Sequence, residues 1–258
     1  MLASSETALR SFCARILGWT TDREVVVEQA IRSIELAVDQ SAALVLLSDG
    51  YSVPLALALH RRTRGAEQPF IVADRRRRNT SASVRTPKNL GLGSNAFVEA
   101  AGGSLCVRYG RLPPDFSSVV AMMRDLNASV QLILCADARF DTHPFLVLPA
   151  PIRVPPLTTR TKELPRIVDE YAADAIAELG AREAHFTADD KAWVLAHSAL
   201  TLEEIEKATL RLVALRMSTT LPRAAERLGM APVSLSRWIG RRKQPRVASG
   251  RRGTRAAR

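Results

Sequence analysis

The sequence is poor in cysteine, and the few it has form no pattern. Cys13, Cys106 and Cys135 are odd in number and widely scattered. That excludes a disulfide framework and a paired-cysteine metal site, and it fits a reducing compartment. Cys106 and Cys135 sit inside apolar runs and are expected in the core as small residues. The four histidines, His60, His143, His185 and His197, have no metal-ligand spacing. No apolar run approaches the length of a membrane span, and the first residues lack a signal-peptide pattern, so no membrane is expected as a partner. The C-terminal arm is basic and free of acids. Between Arg241 and Arg258 there are eight Lys or Arg and no Asp or Glu. That arm supplies most of the net charge of +11. A basic arm of this kind suits a polyanion. Arg75 to Arg78 is a second, isolated basic run and reads as a solvated loop.

What the chain does have is an alternation of helical and strand-like segments in a length that holds one large domain and a small one. Leu2 to Leu17 and Glu24 to Val38 carry apolar residues at helical spacing. Ala42 to Leu47 is a continuous apolar run ending at Ser48, Asp49 and Gly50, the mark of a parallel strand buried on both faces. Val53 to His60 is a helix and Pro69 to Ala73 a second strand, which makes a β–α–β unit. Ser104 to Val107 and Val130 to Cys135 are further strands, separated by a helix within Pro113 to Leu126. Residues 144 to 157 read as extended, and Thr161 to Leu179 as a helix. Thr187 with Asp189 and Asp190 forms a helix start, and Leu202 to Met217 is strongly amphipathic. Gly91-x-Gly93 reads as a flexible turn.

Thr219 to Lys243 is the stretch that organises the rest. Ala224, Ala225 and Leu228 give a short helix a narrow apolar face, and Gly229 ends it. Pro232 opens a second helix, followed by Val233, Leu235, Trp238 and Ile239, with Leu235 to Trp238 or Ile239 at helical spacing. Ser234, Ser236, Arg237, Arg241 and Arg242 are left outward, and none is acidic. This is the sequence form of a helix-turn-helix, whose second helix enters the major groove. It resembles the Fis-type module, with its pattern A-A-x-x-L-G-(I or M)-x-x-x-x-L-x-R. The basic arm follows directly.

Further marks, in order, are similar to those of the AAA+ domain of sigma-54-dependent transcription activators, bacterial proteins that end in such a module. They are Ala58-Leu59-His60 at the end of the first α/β helix, then Gln68 to Ile71, then Ala100 to Leu105. Pro155 to Arg160 with Glu163 to Ile167 and Leu202 to Glu206 complete the set. The catalytic parts of that family are not matched. A phosphate loop needs G-x-x-x-x-G-K-(S or T) so that backbone N–H groups, a Lys and a metal-holding hydroxyl surround the phosphates. Here Ser48 to Pro54 is too short, lacks Lys and offers Asp49 instead. Arg108 and Tyr109 replace the family's acidic pair, and Glu203 stands where its second sensor Arg belongs. Leu90 to Val98 replaces the loop that touches the sigma factor. Ser48 and Asp49 near His60 invite a catalytic triad, but no strained G-x-S-x-G turn surrounds Ser48.

The resemblance therefore implies an α/β fold of the P-loop AAA+ kind, with a parallel sheet covered by helices on both faces. The expected organisation is an N-terminal helical segment (1–24), an α/β domain (25–160), a helical lid (161–200), a helix-turn-helix domain (201–243) and a basic disordered tail (244–258). The expected function is a non-enzymatic, sequence-specific transcription regulator of the bacterial cytoplasm and nucleoid, with no cofactor. Its partner is double-stranded DNA. Ser234, Ser236 and Arg237 are expected to face bases, and Thr220, Arg223, Arg241, Arg242 and Lys243 to hold phosphates. A homodimer, a mixed oligomer with an active relative, and a contact to RNA polymerase are the implied assemblies. Ile205 to Met217 would either pair two copies or pack on the lid. Two alternatives stand beside this reading: an ATP-binding activator with a divergent phosphate loop, and a partner-binding protein with a non-specific DNA anchor.

Overall fold

Four apolar runs of the sequence become the centre of one parallel sheet. The computed structural model describes residues 2–40, 42–49, 52–76, 87–125, 129–137 and 149–243. Its strands are β1 (Leu44–Leu47), β2 (Phe70–Ala73), β3 (Lys88–Leu90), β4 (Ser104–Arg108), β5 (Gln131–Ala136) and β6 (Ile152–Arg153). They pair in the order β3-β2-β4-β5-β1-β6, every described pairing parallel. Because successive side chains point to opposite faces, a strand buried on both sides must be apolar throughout. Leu44 and Leu46 face one core with Val72, Cys106, Ile133 and Cys135. Val45 and Leu47 face the other with Ile71, Leu105, Val107 and Leu134. Cys106 and Cys135 are buried free thiols, their sulfurs 3.7 Å apart on neighbouring strands.

The first face is covered by α1 (Leu2–Leu17), α2 (Thr21–Asp39), α3 (Ser52–Thr63), α6 (Leu164–Leu179) and α8 (Leu202–Arg216), with Val194 of α7 (Ala188–His197) at its margin. The second is covered by α4 (Gly93–Glu99) and α5 (Phe116–Met123). Helices thus lie on both faces, as a parallel sheet requires. The boundary expected at residue 24 falls inside α2, and Phe12, Cys13 and Ile16 of α1 belong to the same core as the sheet. The N-terminal segment is therefore part of the α/β unit. Its end is tied by Arg160, whose guanidinium donates to the carbonyls of Arg15 and Ile16 (2.9 Å each) while pairing with Glu163. Those carbonyls belong to the last turn of α1, where a cation is favoured.

Gly91-x-Gly93 is not simply a flexible turn. Gly93 is the first residue of α4 and is fixed by Asp115, which accepts from the Gly93 N–H (2.7 Å), the Ser94 N–H (2.8 Å) and the Ser94 hydroxyl (2.6 Å). The carboxylate caps a helix that lies 22 residues earlier in the chain. Partial burial works against its charge, but those hydrogen bonds prevail and hold its pKa at about 2. Asp115→Ala is expected to cost about 1–2 kcal/mol, the scale of a lost N-cap. A carboxylate with a depressed folded-state pKa stabilises the fold above its unfolded value near 4. The contribution disappears as the pH falls towards about 2. Urea midpoints of the two proteins at pH 7 and pH 2.5 test this; a gap that does not narrow at the lower pH excludes the carboxylate as its source.

His60 is a core histidine. It is buried, its Nε2–H donates to the Gln68 carbonyl (3.0 Å), and its Nδ1 accepts from the Ser104 hydroxyl (2.8 Å). Burial lowers its pKa, consistent with a neutral ring joining α3 to the start of β4. Its hydroxyl partner is Ser104 rather than Ser48, so the sequence-suggested triad is not assembled.

Candidate nucleic-acid interface

α8 ends at Arg216, and the four-residue link 217–220 leads to α9 (Leu221–Arg227), which α10 (Pro232–Lys243) follows. Thr220 caps α9 by accepting from the Arg223 N–H (3.4 Å). Gly229 then adopts φ +61°. The Met230 N–H reaches the Ala225 carbonyl (3.0 Å) and the Gly229 N–H the Glu226 carbonyl (2.9 Å). That pair of bonds is the Schellman closure, which any residue with a Cβ would strain at the left-handed position. The chain reverses, and α10 starts at Pro232, where the missing N–H costs nothing.

The two helices meet through Ala224 and Ala225, both fully buried, whose small side chains permit close approach. Leu235 is the keystone at 0% exposure, packed with Leu228, Val213 and Ala214. Trp238 meets Trp193 of α7 edge-on, ring centres 5.5 Å apart, and Arg211 of α8 stacks over its face at 5.3 Å. The second helix is thereby braced against α7 and α8 as well as α9. Arg216 does not join the outward basic set: it forms a bidentate pair with buried Asp190 (3.1 and 3.2 Å), which also closes the capping box with Thr187.

With Leu235, Trp238 and Ile239 inward, the outer face follows from helical geometry. At about 100° per residue, Val233 and Arg237 lie one turn apart near the middle of that face. Gly240 lies beside them, and Ser234 and Ser236 fall to its two margins. All five are exposed, Val233 at 60%. This corrects the sequence assignment in one respect: Val233 belongs outside, not among the inward apolar residues. Arg223 and Arg227 of α9 are exposed as well. Arg227 precedes the turn and so lies outside the motif pattern; its place in the last turn of α9, one turn after Arg223, is the signal that points to it. Thr220 is exposed but its hydroxyl oxygen already serves the cap. Arg241, Arg242 and Lys243 continue the backbone of α10, and residues 244–258 lie outside the described residues.

The alternative placement of α8 as a pairing surface is decided by burial. Ile205, Ala208, Leu212, Val213 and Ala214 are interior, packed with α6, α7 and α9, so its apolar face is consumed within one chain.

At the carboxyl edge of the sheet, where open α/β folds bind ligands, Ser48 extends the pairing by donating its N–H to the Ala136 carbonyl (3.1 Å), and Asp49 is exposed. Gly50 and Tyr51 lie outside the described residues. Asp74, unremarked in the sequence, is buried after β2, where it pairs with Arg111 (3.3 Å) and accepts from the Arg76 N–H (3.0 Å). Beside α3 a cleft of about 250 Å³ is lined by Phe12, Arg15, Leu55, Arg62, Tyr171 and Glu206, among others. Asp174 occupies its two central cations, at 2.6 Å from Arg15 and 3.9 Å from Arg62. Burial raises the pKa of Glu206. Glu203 pairs with Lys207 on the outside of α8. Among the described residues no group of three His, Cys, Asp or Glu could hold a metal ion, and no helix is long and apolar enough to cross a membrane.

No protein-family model and no curated protein matches the chain. Among solved structures it is similar to NtrX from Brucella abortus. A crystal structure of NtrX in complex with ATP shares 16% identity over 89% of this chain and 70% of that one, TM-score 0.43. A second NtrX structure shares 14% over 88% and 69%, TM-score 0.44. At these values the overlap concerns the course of the chain alone, and the α/β assignment stands on the sheet order and register.

Proposed function

We propose that the chain is a sequence-specific, DNA-binding transcription regulator in which α10 reads the major groove and α9 lies across the phosphate backbone. The observation that carries this is the outer face of α10. It is exposed, bears Arg237 near its middle and contains no acid, while the opposite face is anchored by Leu235 and Trp238. A rigid helix with an arginine directed outward suits bidentate recognition of guanine. Arg223 and Arg227, with Arg241, Arg242 and Lys243 beyond, supply phosphate-binding charge on either side. The sequence resemblance to sigma-54-dependent activators supports a role in transcription. The absent phosphate-loop lysine, the exposed Asp49 and the replaced sigma-contact loop at Leu90 to Val98 support action without ATP hydrolysis or remodelling of polymerase. The regulator would instead recruit, block or join a mixed oligomer.

Selection from a random duplex pool at near-physiological salt tests the reading. Salt near physiological matters because phosphate contacts alone bind any duplex when counterion release is strongly favoured. The full chain is expected to enrich one motif, palindromic if two copies bind. Arg237→Ala is expected to weaken that site by about tenfold or more and relax one base position. Arg223→Ala is expected to weaken all sequences evenly and lower the salt slope by about one. If the full chain enriches nothing, the basic end is a non-specific anchor and the regulator reading is lost.

A further inference from the structure

We infer that Val233 is a specificity residue that recognises the 5-methyl group of a thymine in the major groove. This rests on the DNA-reading role proposed for α10.

The folded chain gives Val233 no reason of its own. It is 60% exposed, so it contributes little to the core. It is β-branched, which makes it a poorer helix former than Ala, Leu, Lys or Glu at a solvent-facing position. Its position, by contrast, is distinctive. It lies in the first turn of α10, one turn before Arg237 on the same stripe. In helix-turn-helix modules the N-terminal residues of the second helix approach the base edges. Ala231 and Pro232, also exposed, flank it. Neither flanking side chain is charged or long. Gly240 on the same stripe lets the helix settle close further along.

The major groove offers one apolar feature, the thymine methyl, and a compact aliphatic side chain is its complement. Val233 is branched at Cβ and has few rotamers, so it gives up little conformational entropy on contact. Arg237 and Val233 would thus read two different base pairs within one helical turn of protein, one by hydrogen bonds and the other by an apolar contact. A stripe with Val before Arg predicts a half-site in which a thymine lies a base pair or two from a guanine.

The test uses the full chain and the duplex that it selects. Each thymine of the motif is replaced singly by deoxyuridine, which removes only the methyl, and dissociation constants are measured by fluorescence anisotropy. One position per half-site is expected to lose about three- to fivefold, the scale of one buried methyl. Val233→Ser is expected to bind the thymine and uracil duplexes within twofold of each other. Val233→Thr, which keeps a methyl, is expected to restore the difference. If the wild-type chain selects a motif but treats uracil and thymine alike at every position, the assignment of Val233 is wrong while the regulator stands. The same holds if Val233→Ser keeps the discrimination. If the wild-type chain selects no motif, the DNA-reading role falls and this inference falls with it.

Discussion

Gly103→Ala is expected to destabilise the fold by about 3 kcal/mol or more, the upper range of overpacking. A Cβ at that position would lie 1.9 Å from the Pro69 carbonyl oxygen and 2.8 Å from its carbon. Those are backbone atoms at the start of β2, and they are held: the same carbonyl accepts the Ser104 N–H at 2.9 Å. On the other side, the Gly103 carbonyl accepts from the Gln131 N–H at 3.0 Å. The two neighbouring strands therefore clamp the residue, and neither can retreat without breaking the ladder that begins there. Chemical denaturation monitored by circular dichroism is the measurement. A midpoint within error of the wild type would mean that the start of β4 is free to shift away from Pro69. Gly102 beside it has φ +77°, and a Cβ there would meet only the end of the Gln68 side chain at 3.4 Å, so Gly102→Ala is the milder change.

Leu235→Ala is expected to cost about 2–5 kcal/mol, the range for deleting a fully buried leucine. The loss would concentrate where the contacts are. Leu235 belongs to the cluster formed by α6, α8, α9 and α10, while the sheet is held by two other clusters. Amides of α9 and α10 are thus expected to lose hydrogen-exchange protection, while those of β1, β4 and β5 keep theirs. DNA affinity would fall with the fraction of molecules in which α10 is detached. Equal loss of protection throughout would show that the sheet and the C-terminal helices unfold as one unit. Unchanged protection in α10 would show that Trp238 and Ile239 suffice to hold it.

These two residues show which parts of the structure the sequence makes legible. β1, β2, β4 and β5 are readable because both faces are buried, and a run such as Leu44 to Leu47 carries no polar residue. The paired glycines before β4 are readable as a constraint, though not what they press against. β3 is different. It is three residues long, and its one buried side chain is Asn89, which bonds the backbone of Asp74. No apolar period can announce such a strand. The start of α4 escapes for a related reason, since its cap is supplied by Asp115, far along the chain. In the candidate interface the residue types were legible and their orientation only partly so. Val233 is apolar, and an apolar residue one position from a helix start is assigned inward unless the position of Leu235 is known.

Arg160 sets an order of events during synthesis. Its contacts to Arg15 and Ile16 span 145 and 144 residues. At about 5–20 residues per second, the last turn of α1 waits roughly 7–30 s for its guanidinium partner to be made. Arg15, which pairs with Asp174, waits slightly longer. Until then α1 can pack on α2 and α3, but its exposed carbonyl end has no cation to meet. A nascent chain stalled before residue 160 therefore carries a first helix whose last carbonyls lack the guanidinium that meets them in the folded chain.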